Sequence, residues 1–61
     1  MAYRVTFLKQ IFGVPFPVAS FTVRHAKSLE RAQRAAELRL VRPRNVANWR
    51  MCADALEVEV H

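Results

Sequence analysis

Sixty-one residues with a formal net charge of +5 and 52% hydrophobic side chains make room for one folded domain, and exclude a disordered tail. A chain this short hides a smaller share of its surface than a larger one, so disulfides, a metal or a second subunit are the usual supplements. Cys52 is the lone cysteine, and His25 and His61 lack the close pairing of a zinc site. Self-association is the supplement that remains, and the chain is read as a single α+β domain over residues 1–61 that forms a homodimer.

From Tyr3 onward, Tyr3, Val5 and Phe7 alternate with Arg4, Thr6 and Leu8, the period of a half-buried strand. The first strand is predicted from about Ala2 to Gln10. Ile11 and Phe12 lead into Gly13-Val14-Pro15-Phe16-Pro17, where two prolines remove ladder donors and Gly13 permits a positive φ; this stretch reads as a connection. Ala19, Phe21 and Val23 then alternate with Ser20, Thr22 and Arg24, predicting a second strand from about Val18 to His25 and an antiparallel hairpin.

Ser28 is an N-cap candidate for a run of strong helix formers from Leu29 to Val41. Leu29, Ala32, Ala36 and Leu40, with Ala35 beside them, form the stripe that lies on the sheet. Pro43 stops the helix near Val41. After a loop through Asn45 and Asn48, Trp49, Met51 and Ala53 share one parity and Leu56, Val58 and Val60 the other. A β-bulge near Asp54 would keep one bent strand, and a tight turn would give two short ones; with no glycine there, the bulge is adopted. The expected fold is a small two-layer sandwich, β-β-α-β or β-β-α-β-β, open to strand exchange between two copies.

Catalysis finds too few players. Cys52 or a serine would need a histidine base and an orienting group, and only His25, His61 and Asp54 are present to supply them. The single glycine excludes a phosphate-binding loop. Glu57 and Glu59 read as the wet face of a last strand. No enzyme, cofactor or metal is expected.

Charge and surplus apolar surface are the two informative features. Eight of the ten basic residues are arginine, and residues 1–50 carry all ten against Glu30 and Glu37. Arg31, Arg34, Arg39, Arg42 and Arg44 form a candidate surface for RNA or DNA, since guanidinium groups match phosphate oxygens; no base-reading signature accompanies them. The same charges also read as a solvated helix face, with Glu30 and Arg34 as a helix-supporting pair. Ile11, Phe12, Val14, Phe16 and Val18 crowd the connection, and Leu38 falls opposite the helix stripe, which makes these six the candidate dimer interface. Trp49 reads as core.

The uncharged run from Gln10 to Val23 is too short to span a bilayer and is broken by Gly13, Pro15 and Pro17, so no membrane partner is expected. Cleavage of a signal peptide near Ala19 would leave too little chain to fold. With one thiol, a reducing, cytoplasmic setting is expected. The leading expectation is a non-catalytic homodimeric module that binds another macromolecule, such as a protein partner, or serves as an accessory subunit; the alternative is a nucleic-acid-binding protein using the arginine-rich helix face.

Overall fold

The computed structural model describes residues 2–60. Strand β1 spans Ala2–Ile11, β2 Val14–Arg24, helix α1 Leu29–Val41 and β3 Ala55–Val60, with one 3-10 turn at Trp49–Met51 between α1 and β3. The three strands form one antiparallel sheet in the order β2-β1-β3, with α1 on one face. This is the α+β sandwich expected from the residue pattern, in its three-strand form.

The alternation of β1 decides which face is covered. Tyr3, Val5 and Phe7 are buried, together with Val23 of β2 and Ala32, Ala36 and Leu40 of α1. Alanine at 32 and 36 brings the helix close to the sheet. Phe7 sits at the centre, 6.1 Å edge-on from Phe21 and 5.6 Å from Trp49. The opposite face pairs Arg4 with Glu59, Thr6 with Glu57 and Thr6 with Ser20, and Thr6 Oγ1 lies 3.2 Å from Ser20 Oγ.

Helix α1 begins where its capping chemistry predicts. Ser28 is extended and its Oγ accepts from the Arg31 N–H at 3.2 Å, satisfying one of the free donors of the first turn. At the other end Arg44 Nη1 donates to the Leu40 carbonyl at 3.0 Å. The buried stripe is shorter than expected, because Leu29 in the first turn is 44% exposed, and Val41 in the last turn is buried beside the stripe.

Two segments depart from the sequence reading. Residues 14–17 belong to β2, although prolines are poor strand residues. The Leu8 carbonyl accepts from the Asp54 N–H at 2.8 Å, and the Gln10 N–H donates to Asp54 Oδ2 at 2.7 Å, so the backbone groups of Leu8 and Gln10 face β3. Pro17 lies opposite Leu8 and Pro15 opposite Gln10. In an antiparallel ladder these are the positions that make no hydrogen bond to β1, so a missing N–H costs the pair nothing. Because β2 is an edge strand, the two prolines also strip outward donors from that edge.

The second departure is at Trp49. Trp49–Met51 is a 3-10 turn, capped by Asn48, whose Oδ1 accepts from the Arg50 N–H at 2.9 Å. The change of parity near Asp54 is therefore neither a bulge in one bent strand nor a tight turn between two short strands; it marks the passage from the 3-10 turn into β3. The bulge of the sheet lies elsewhere: Phe7 pairs with Ala19 and Leu8 with Pro17, which leaves Val18 as the extra residue of β2.

Candidate functional site

The hairpin of β1 and β2 outruns the rest of the sheet. The last residue of β1 opposite β3 is Leu8, whereas pairing with β2 continues to Ile11 and Val14. Lys9–Ile11 and their partners thus form an arm that extends about 10 Å beyond the last rung of β3. The bulge at Val18 shifts the parity of β2, so Phe16 and Val14 lie opposite Lys9 and Ile11, on the helix side of the sheet but past the covered region.

This arm, with the bulge residue Val18 next to its base, carries the apolar surplus of the sequence. Ile11, Phe12, Val14, Phe16 and Val18 are all exposed, and Phe12 is fully so, at 102% of its reference area. Phe12 and Gly13 make a two-residue turn with φ of 51° and 78°, the positive pair that marks a type I′ hairpin turn. Asparagine, aspartate or glycine suits the first position of such a turn. A bulky aromatic there is sterically disfavoured, and the ring of Phe12 buries nothing in return. The fold has no use for this side chain.

A second apolar surface lies along α1. Leu38 is 42% exposed on the side away from the core. With Phe21, Ala35, Arg39, Arg42 and Pro43 it lines an open groove of about 520 Å³ beside β2. No residue of the arm lines this groove, although the sequence assigns Leu38 and the arm residues to one candidate interface.

All five arginines predicted to form a basic surface are exposed, but they do not act alike. Arg39 Nη1 donates to the Thr22 carbonyl at 3.0 Å and so covers part of the β2 edge. Arg44 holds the end of α1 through the Leu40 carbonyl. Arg31, Arg34 and Arg42 share the outward helix face with Leu38, while Gln33 Nε2 donates to Glu37 Oε2 at 3.0 Å on the neighbouring side. Arg50 stacks on Trp49, its guanidinium carbon 5.5 Å from the ring. Trp49 is half-buried against Phe7, as expected of a core residue.

The groups weighed for nucleophilic catalysis are spread apart. Cys52 is half-buried and packs against the core. Asp54 is engaged at the Leu8 end of the sheet, whereas His25 follows β2 at the Ala2 end, about 20 Å away along the strands. His61 lies outside the described residues. Among the described residues, no group of three or more His, Cys, Asp or Glu is placed to hold a metal ion, and no helix is long and apolar enough to cross a membrane.

No family model, curated protein or solved structure matches this chain. The functional reading rests on the residues themselves.

Proposed function

We propose that this chain is a non-catalytic interaction module that pairs with a second copy of itself through the hairpin arm. The observation that carries this reading is Phe12, a fully exposed aromatic at φ 51° in a turn that favours asparagine or glycine. Large aromatics of this kind anchor protein interfaces when a partner desolvates them. Charge supports a second copy at this place. Two chains of net charge +5 repel one another, but the 14 residues from Gln10 to Val23 carry no charge and the arm's one cation is Lys9, at its base opposite Phe16, so the arms meet with little like charge opposed.

The magnitude is modest. Phe12 fully buried, Phe16 half buried and three aliphatic side chains would remove on the order of 500 Å² per copy, against ~800 Å² per partner in a standard interface. The dimer is accordingly weak and concentration-dependent. Light scattering after size exclusion, from low micromolar to millimolar loading, tests it. A mass rising toward that of two chains, and lost in Phe16→Thr, is the expected result; a single-chain mass throughout would overturn it.

Binding of RNA or DNA is the second reading, supported by Arg31, Arg34 and Arg42 side by side on the outward helix face. It is weaker because Arg39 and Arg44 each spend a donor on the backbone and Glu30 and Glu37 share the helix. This reading predicts salt-dependent binding of a labelled oligonucleotide that falls when Arg31, Arg34 and Arg42 become glutamine. No binding at low salt removes it.

A further inference from the structure

We infer that the groove between α1 and β2 is a docking site for an acidic amphipathic helix of another protein. It is a different surface from the arm and does not depend on self-association. The groove has an apolar floor, formed by Phe21, Ala35, Leu38 and Pro43, and a cationic rim, formed by Arg39 and Arg42. No carboxylate lines it. Ala35 and Leu38 stand three positions apart on α1, so they give one side of the helix a short apolar patch beside the stripe that meets the sheet.

Charge complementarity sets the sign of the occupant. Arg39 is held at the rim by one bond to the Thr22 carbonyl, which leaves four of its five N–H donors for a ligand. Arg42 stands three positions further along the helix, and side chains three apart are separated by about 5–6 Å at Cβ. Two carboxylates one turn apart on a partner helix have the same spacing, and each guanidinium can take one of them in a forked pair. Leu38, lining the same groove as the two arginines, receives the partner's apolar residue.

The adjacent sheet edge argues for a helix over an added strand. Strand addition needs a row of free backbone donors and acceptors, and β2 has lost outward donors at Pro15 and Pro17 and its Thr22 carbonyl to Arg39. A second copy of this chain does not fit the groove. Its acids on α1, Glu30 and Glu37, flank Gln33 with no apolar stripe between them, and Glu57 and Glu59 lie on a strand. A nucleic acid fits less well, because the floor is mostly aliphatic and Phe21, its one ring, is half-buried in the core, whereas strand binding relies on exposed rings and a continuous basic track.

The test uses the full chain carrying Phe12→Asn, so that self-association cannot compete and the two proposals fail separately. The probe is a labelled synthetic helical peptide with leucine at i, i+3 and i+7 flanked by glutamates, followed by fluorescence anisotropy. Micromolar binding is expected, with backbone amide shifts at Leu38, Arg39 and Arg42 in NMR spectra. Leu38→Ser should weaken it about tenfold, as should Arg42→Gln, and both sites are exposed enough that the melting temperature stays near that of the parent. The counterpart peptide with lysine for glutamate should not bind. Equal binding of both peptides, no effect of Leu38→Ser, shifts confined to the arm, or tighter binding of a single-stranded or duplex oligonucleotide at the same residues would each overturn the inference.

Discussion

The carboxylate of Asp54 accepts a hydrogen bond from the backbone N–H of Gln10 at 2.7 Å, across 44 positions of sequence. Together with the Asp54 N–H on the Leu8 carbonyl at 2.8 Å, it extends the contact between β1 and the third strand one step past the strand itself. It thereby fastens the base of the arm to the sandwich. A backbone donor that would stand open on the edge of β1 is satisfied by a side chain.

Asp54→Ala should therefore loosen the arm more than the core. The bond is exposed, so a loss of about 1 kcal/mol is expected. Hydrogen exchange read by NMR should show the Gln10 amide losing protection while Val5 and Phe7 keep theirs. Uniform loss across β1 would show that Asp54 supports the whole sheet instead.

Leu38 and Leu40 make a controlled pair, being the same residue on one helix with opposite surroundings. Leu40 is fully buried against the sheet, and Leu38 is 42% exposed. Leu40→Ala should cost ~2–5 kcal/mol, most of the stability a chain of this length commands, and leave the protein largely unfolded at room temperature. Leu38→Ala should cost less than about 0.5 kcal/mol. Urea titration followed by circular dichroism measures both.

The alanines of α1 set the spacing between the layers. Ala36 is fully buried, so Ala36→Leu forces extra volume between helix and sheet at a cost of about 1–3 kcal/mol. The urea midpoint should fall by a corresponding amount. A midpoint at or above that of the parent would mean that the layers have room to part.

The helix was the most legible part of the fold, because Ser28, the Leu29–Val41 helix formers and Pro43 all act locally. The covered part of the sheet was legible for a similar reason, since Tyr3, Val5, Phe7, Phe21 and Val23 show their period directly. Two tertiary facts hid the rest. Pro15 and Pro17 are strand residues only because β2 is an edge and they fall opposite Leu8 and Gln10, which no local pattern reveals. Trp49, Met51 and Ala53 share a strand-like parity, yet Asn48 was a capping signal for the 3-10 turn that competed with it. At the surface, the apolar excess from Ile11 to Val18 and the misplaced Leu38 were visible in the sequence. That Arg39 holds the Thr22 carbonyl was not, because that partner depends on how the layers pack, whereas the bond of Arg44 to the Leu40 carbonyl is local to the end of α1.

If Phe12 serves association at the expense of the fold, as proposed, the substitution Phe12→Asn separates the two. Asparagine suits the positive φ of the turn, so relieving the aromatic should stabilise the monomer by about 0.5–1 kcal/mol, a rise in Tm of several degrees for a domain of this size. Sedimentation equilibrium of parent and variant over the same concentration range is the decisive measurement. A parent that dimerises and a variant that stays monomeric while melting no lower is the predicted result. A monomeric parent, or a variant that dimerises as well as the parent, would contradict it.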